Sequence, residues 1–183
     1  SLTYTQMLDQ RGGIQCDLTV ARVAHDEFYL TTGTGFATHD LDWISRNIPA
    51  GANAQVFDVT SAWSVLVLMG PRSRDILGAV TTAALDNESF PFATMRTIGI
   101  AGCPVRALRI TYMGELGWEL HHPVSYNRLL TDLLIRTGGP FGMRLFGAEA
   151  LESLRLEKSY RAINRELTRD TSPLELGLAR FVK

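Results

Sequence analysis

A single aspartate beside a double glycine is the first candidate for chemistry in this chain. Asp17 follows Gly12-Gly13 in the stretch Gly-Gly-Ile-Gln-Cys-Asp. A carboxylate close to reacting atoms can stabilise a developing positive charge and accept a proton. An aspartate next to a glycine turn can instead serve the structure, by accepting hydrogen bonds from backbone amides. Residue type and position leave both roles open.

Tyr112 and Glu119 form the second candidate group. They lie on either side of a glycine-containing reversal at residues 114–117. The pattern predicts that they become neighbours on adjoining strands, roughly 5 to 8 Å apart. The alternative is an ordinary glycine turn with an aromatic core residue and a solvent-facing glutamate. Glu115, inside the reversal, is predicted to be a turn residue, although the two glutamates can exchange roles.

The histidines and cysteines do not form a recognisable metal motif. His121 and His122 are adjacent on a predicted strand, where consecutive side chains face opposite ways, so they should not chelate one ion. Cys16 and Cys103 lie far apart and outside any CxxC pattern, which indicates two reduced thiols. We therefore predict no metal site.

Two other signatures of catalysis are missing or incomplete. The serine elbow GxSxG of many hydrolases does not occur. Gly33-Thr34-Gly35 follows a predicted strand and opens a helix, as a dinucleotide loop does, but Thr38 stands at the third glycine position. The pattern favours a flexible strand-to-helix turn over a dinucleotide site.

The charge balance points to a small ligand. Lys and Arg number 18 against 19 Asp and Glu, and the net charge of −1 lacks the basic excess typical of nucleic-acid-binding domains. No apolar run approaches the ~20 residues needed to span a bilayer. The first residues show no targeting pattern. We predict a protein that binds neither nucleic acid nor membrane and works in the cytoplasm, or in the mitochondrial matrix of a eukaryote.

Hydrophobic patterns divide the chain into short strands and helices. Strands are predicted at residues 16–23, 28–32, 54–59, 64–69, 96–101, 104–112 and 118–121. Helices are predicted at residues 36–47, 72–79, 125–136, 148–163 and from 173 onward. Most neighbouring strands are joined by short hairpins, whereas a purely parallel sheet would need long crossovers. The predicted fold is therefore α+β, with antiparallel sheets flanked by helices.

The two helices of the tail carry more specific predictions. Ala150, Leu151 and Leu154 are predicted to form the buried stripe of the first helix, with Arg155 on its surface in salt bridges. A capping box at residues 172–175, Ser-Pro-Leu-Glu, is predicted to start the second helix. Because no glycine cap or proline stop is recognised behind it, we expect the chain to continue into a larger protein.

Four stretches together resemble the aminomethyltransferase family, whose founding member is the T-protein of glycine cleavage. They are residues 12–20, 69–74, 112–120 and 153–158. Three segments are more similar to the folate domain of dimethylglycine and sarcosine dehydrogenases than to T-protein: residues 31–35, 112–119 and 172–178. The resemblance implies a T-protein-like folate-binding domain across residues 1–183, truncated at both ends. It also implies an FAD domain upstream and a C-terminal barrel domain downstream, both absent from this chain.

The resemblance also implies a reaction and its participants. In such enzymes the flavin part oxidises an N-methyl amine to an iminium. The folate part captures the one-carbon unit on N5 of tetrahydrofolate as 5,10-methylenetetrahydrofolate. Tetrahydrofolate is therefore the cofactor implied for this chain, with FAD confined to the upstream flavin domain to which it is fused and a small amine or iminium as substrate.

The resemblance implies functional roles for three residues. Asp17 stands at the position of the family's essential aspartate, which implies catalysis. Glu119 matches the carboxylate that accepts a forked pair of charge-assisted hydrogen bonds from the pterin edge. Tyr112 is implied to stack on the folate or to hydrogen-bond with it. These roles require Asp17 and Glu119 to face one cleft that is wide enough for a pterin ring.

Two positions depart from T-protein. Gly33 stands where T-protein has an asparagine near its folate, and Leu151 stands where it has an arginine. Those polar contacts cannot be carried over, which favours a pocket of the dehydrogenase branch. Two other functions stay open. One is a regulatory or interaction module on the same fold, resembling the regulatory subunit of pyruvate dehydrogenase phosphatase. The other is a flavin-independent demethylase that moves a methyl group from a sulfonium or ether donor to folate.

Overall fold

A computed structural model describes residues 1–182 and divides them into two compact units. One unit contains residues 59–160 together with Ser1, and the other contains residues 2–58 and 161–182. Each unit is built on one antiparallel sheet. Within residues 1–182, none of the helices has the length and apolar character needed to cross a membrane.

The unit of residues 2–58 and 161–182 holds a three-stranded sheet in the order β1-β2-β3. Its strands are β1 (Leu2–Leu8), β2 (Ile14–Arg22) and β3 (Phe28–Thr32). Side chains alternate along β2, so that Ile14, Cys16 and Leu18 are buried on one face. Helix α1 (Ala37–Arg46) packs against β2. Asp17 points to the opposite face from Cys16 because consecutive strand residues alternate.

The turn between β1 and β2 leaves no room for a side chain at Gly13. The amides of Arg11 and Gly13 both donate to Asp9 Oδ1, at 2.8 and 3.0 Å, which fixes the turn. A Cβ atom at Gly13 would collide with the backbone carbonyl of Arg169. A backbone atom cannot swing aside as the end of a flexible side chain can, so this position requires glycine.

Substituting Gly13 by alanine should lower the free energy of unfolding by about 2 kcal/mol, because the backbone at Arg169 must move to accept the methyl group. Urea unfolding of the purified protein measures this effect. Gly35→Ala is the matched control, since a Cβ atom there would meet nothing within 4 Å. Equal losses in the two variants would contradict the close approach at Gly13.

The unit of residues 59–160 holds a four-stranded sheet in the order β4-β7-β6-β5. Its strands are β4 (Trp63–Met69), β5 (Thr94–Ile100), β6 (Cys103–Arg109) and β7 (Gly117–Pro123). Its helices are α2 (Ser73–Gly78), α3 (Asn127–Gly138) and α4 (Ala148–Glu157). Trp118, Leu120 and Phe90 lie in the core, with the rings of Phe90 and Trp118 edge to face at 6.1 Å. Because β7 alternates, Glu119 and His121 lie on its other face.

Two predicted elements are wrong. Residues 54–59 form no strand, and Phe57 is 74% exposed. The segment has the β-branched and aromatic composition of a strand, but all of its side chains are exposed and no strand within residues 1–182 pairs with it. Residues from 173 onward form turns and a short 3₁₀ helix at Ala179–Phe181 instead of a long helix. Lys183 lies outside the described residues.

The predicted capping box forms its hydrogen bonds without starting a long helix. The Ser172 amide donates to Glu175 Oε2 at 2.8 Å, and the Glu175 amide donates to Ser172 Oγ at 3.4 Å. Gly177 follows with a φ of +72° and the Leu178 amide donates to the Pro173 carbonyl at 2.8 Å. A glycine in this left-handed conformation ends a helical turn, so the sequence contained the stop signal that the prediction missed.

Helix α4 also differs from its prediction. It ends at Glu157 rather than near Ile163, and Ser159 then adopts a positive φ of 56°. Its predicted buried stripe is wrong, because Ala150 is exposed and Leu151 is only half-buried. The buried residue of the helix is Arg155, which is 1% exposed.

Candidate functional site

The carboxylate of Asp17 is held by side chains from β1. Gln6 lies directly opposite Asp17 in the antiparallel register, and Gln6 Nε2 donates to Asp17 Oδ1 at 2.8 Å. The side chain of Tyr4 also hydrogen-bonds Asp17. The sequence left open whether Asp17 stabilises the glycine turn. That role belongs to Asp9, which accepts hydrogen bonds from the backbone amides of the turn. Asp17 is therefore held by its neighbours' side chains on the face of a sheet.

Burial raises the pKa of Asp17 above the usual aspartate value. The hydrogen bonds from Tyr4 and Gln6 act in the opposite direction, because they favour the charged form, and the negative charge of Asp40 adds to the rise. The net effect is a carboxylate that binds a proton more readily than one in open water. This property suits a base.

Tyr4 is itself fixed in orientation. Its ring meets the ring of Phe181 edge to face, with centroids 5.0 Å apart. Tyr4 and Gln6 occupy alternate positions of β1 and so point to the same face as Asp17. The sequence analysis did not recognise β1, although the alternating pattern of residues 2–8 could have indicated it.

Glu119 lies on β7, on the face opposite the core. Its side chain is 20% exposed, and its Oε2 lies 3.2 Å from Nε2 of the fully buried His121. His122 has other partners, the Leu120 carbonyl at 2.9 Å and Asn127 Oδ1 at 3.3 Å. The two histidines therefore have different partners on opposite faces of β7, as their alternation on a strand predicted.

The predicted cross-strand pairing of Tyr112 with Glu119 is wrong. Strand β6 ends at Arg109, and the register places Leu108 opposite Glu119. Tyr112 lies in the connection at residues 110–116, where the amides of Met113 and Glu115 both donate to Thr111 Oγ1 at 3.2 Å. Counting positions symmetrically about the glycines misses this wider connection. The turn position predicted for Glu115 is confirmed.

The surroundings of Glu119 fit one edge of a pterin. Val67 lies opposite Glu119 across the β4–β7 register, Val65 lies two residues away on the same face, and these valines are 46% and 42% exposed. A flat aromatic ring can lie on such an apolar surface while the carboxylate accepts its N–H groups. The acceptor carboxylate and the adjoining apolar surface therefore suit tetrahydrofolate.

A buried cluster that the sequence did not reveal lies between β2 and α1. One ligand atom each from Cys16, His39 and Asp40 lies within 4.8 Å of the others. Asp40 is 2% exposed, accepts a hydrogen bond from Thr32 Oγ1 and lies 2.9 Å from His39 Nδ1 through Oδ1. Burial, together with the charge and hydrogen bonding of Asp40, raises the pKa of Cys16 to about 12. These residue types can ligate zinc, and Asp40 hydrogen-bonds with both Cys16 and His39.

The fold defines the class of protein. The glycine cleavage system aminomethyltransferase T from Bartonella henselae has a solved structure that matches all of this chain with a TM-score of 0.85 and 27% sequence identity. The match covers 47% of that protein. The predicted α+β class and the T-protein-like fold are confirmed.

The family model described as the GCVT N-terminal domain matches residues 1–183, so the chain belongs to this family. It is 38% identical over 180 residues to human mitochondrial dimethylglycine dehydrogenase and 39% identical over 193 residues to mouse mitochondrial sarcosine dehydrogenase. Each match covers 98% of this chain and 21% of the relative. The chain is thus an aminomethyltransferase-like domain related to these dehydrogenases, and it spans about a fifth of their length.

Proposed function

We propose that this chain is the tetrahydrofolate-dependent one-carbon transferase domain of an N-methyl amine dehydrogenase or oxidase. The observation that carries the proposal is the environment of Asp17. Two side chains hold its carboxylate on a sheet face, and burial raises its pKa. A structural turn aspartate would not need this arrangement, and the turn has Asp9 for that purpose.

Asp17 is the residue that performs the acid–base part of the reaction. Capture of an iminium-derived one-carbon unit develops positive charge on a carbon–nitrogen system and releases protons from nitrogen. A carboxylate with a raised pKa stabilises that charge and accepts a proton. Gln6 and Tyr4 hydrogen-bond with this carboxylate.

Glu119 and Tyr112 hold the folate in this proposal. The Glu119 carboxylate accepts the pterin's ring N–H and amino group, and Val65 and Val67 offer the adjoining apolar surface. Tyr112 stacks on the folate or hydrogen-bonds with it. When bound, tetrahydrofolate supplies the nucleophilic nitrogen that takes the one-carbon unit as 5,10-methylenetetrahydrofolate.

The oxidation belongs to another part of the protein. In this proposal FAD is bound by a flavin domain fused to this chain, which delivers a small amine-derived iminium to it. In this proposal the protein acts in the cytoplasm, or in the mitochondrial matrix if it is eukaryotic, as its relatives named mitochondrial do. None of these roles requires a nucleic acid or a membrane.

The folate assignment is tested by titrating the full-length protein with tetrahydrofolate in a calorimeter. Substituting Glu119 by glutamine should weaken binding by about tenfold or more, because a charge-assisted hydrogen bond becomes a neutral one. Glu115→Gln is the matched control, in the connection that leads into β7, and should leave affinity unchanged. Weakening by Glu115→Gln alone would exchange the two roles, and no binding by the unsubstituted protein would end the proposal.

A further inference from the structure

Among the residues of β1, Gln6 is the one that lies directly across from Asp17 and hydrogen-bonds with its carboxylate. The antiparallel register places the two residues opposite each other, and the Nε2–Oδ1 distance of 2.8 Å is that of a good hydrogen bond. An amide does not act as an acid or a base near neutral pH. Its contribution to any chemistry at Asp17 is therefore through the placement of the carboxylate.

Packing alone does not hold the Gln6 side chain in this position. Gln6 is half-buried and lines a cavity of about 270 Å³ together with Leu8 and Phe181. A long side chain beside open space keeps several rotamers unless a specific contact selects one. The hydrogen bond to Asp17 supplies such a contact.

We propose that Gln6 is a positioning residue that fixes the orientation of the Asp17 carboxylate through its Nε2–Oδ1 hydrogen bond. The proposal rests on the one-carbon transferase function proposed above. Tyr4 shares this task through its hydroxyl group, while its ring is placed by Phe181. In this arrangement Asp17 takes part in the reaction, and Gln6 keeps its carboxylate in place.

The direction of the expected change follows from the groups that act on Asp17. Burial and the negative charge of Asp40 on α1 raise the pKa of Asp17, whereas Gln6 and Tyr4 on β1 lower it. Loss of the Gln6 amide removes a lowering contribution, so the pKa rises further. A base works only when deprotonated, so the acidic limb of the transfer rate should move to higher pH.

The test uses Gln6→Met in the full-length enzyme, because methionine keeps nearly the same length and lines the cavity but has no donor. At a pH on the acidic limb, transfer should be about tenfold slower than in the unsubstituted enzyme. Amine oxidation should be unchanged. Gln6→Asn, whose amide is too short to reach Asp17, should shift the limb in the same direction and serves if the methionine variant folds poorly.

The control is a second glutamine–aspartate pair, formed between β2 and the turn that precedes it. Gln15 Nε2 donates to Asp9 Oδ2 at 3.0 Å, so Gln15→Met removes the same kind of bond away from Asp17. It should leave the acidic limb where it is. The proposal is overturned if both Gln6 variants keep the unsubstituted profile, or if Gln15→Met shifts it equally.

An infrared titration separates this proposal from the proposed function. The carboxyl band that disappears in Asp17→Asn reports the protonation of Asp17 whether or not the protein transfers a one-carbon unit. That band should titrate at higher pH in Gln6→Met, and an unmoved titration overturns the positioning role. An unaltered transfer rate in Asp17→Asn refutes the transferase function instead.

Discussion

Replacing Asp17 by asparagine should slow transfer of the one-carbon unit by about 100- to 10,000-fold, the usual contribution of a positioned acid or base. Asparagine has nearly the same shape, and its carbonyl oxygen can still accept the hydrogen bond from Gln6 Nε2. The substitution therefore removes charge and basicity while keeping the local structure. Amine oxidation should continue, because this proposal assigns it to a separate flavin domain.

The measurement follows two products of the full-length enzyme. Formation of 5,10-methylenetetrahydrofolate should fall, and formaldehyde should rise, because an iminium that is not captured reacts with water to give formaldehyde and the demethylated amine. Asp9→Asn is the control, since Asp9 is a turn carboxylate that bonds the amides of Arg11 and Gly13. Equal transfer rates in Asp17→Asn and the unsubstituted enzyme would remove Asp17 from the mechanism.

The elements that local pattern defines were predicted from the sequence. The hairpin at β2 and β3, helix α1 and the antiparallel sheet of β4 to β7 all occur within a few residues of their predicted bounds. Residues 54–59 show the limit of such patterns. Their composition favours a strand, but a strand exists only where another strand pairs with it, and that depends on residues far away in the chain.

For the site, too, the sequence indicated which residue matters but not which residues contact it. The importance of Asp17 came from its motif, but its contacts depend on the register that brings Gln6 opposite it across two strands. Tyr112 and Glu119 were paired by counting outward from the glycines. The actual register is set by the end of β6 at Arg109 and by the length of the connection that follows it. The spacing of residues in the sequence indicates neither.

The stretch at residues 153–158 contributed to the resemblance, and its charged residues were expected on the helix surface. Arg155 contradicts this expectation with a side chain that is 1% exposed. Its Nη1 donates to the Tyr160 carbonyl at 2.7 Å, and its Nε donates to Glu152 Oε2 at 3.0 Å. A charged residue type normally indicates exposure, and only the structure shows that this guanidinium is buried among acceptors.

Substituting Arg155 by methionine should therefore lower the free energy of unfolding by about 3 to 5 kcal/mol, the range for breaking a buried ion pair. Methionine fills much of the volume, so the loss measures the hydrogen bonds more than a cavity. The Tyr160 carbonyl would lose its donor, and Glu152 would lose its cationic partner. Urea unfolding of the purified protein gives the value.

The matched control for this prediction is Arg128 on α3. Its side chain is 95% exposed and lies 3.8 Å from Asp132, so Arg128→Met removes an arginine of the same size from a solvated ion pair. Such a pair contributes at most about 1 kcal/mol, because water screens the charges. A loss in Arg155→Met no greater than in Arg128→Met would mean that Arg155 is not a buried anchor of α4. The 153–158 stretch would then need an explanation in ligand binding rather than in the stability of the fold.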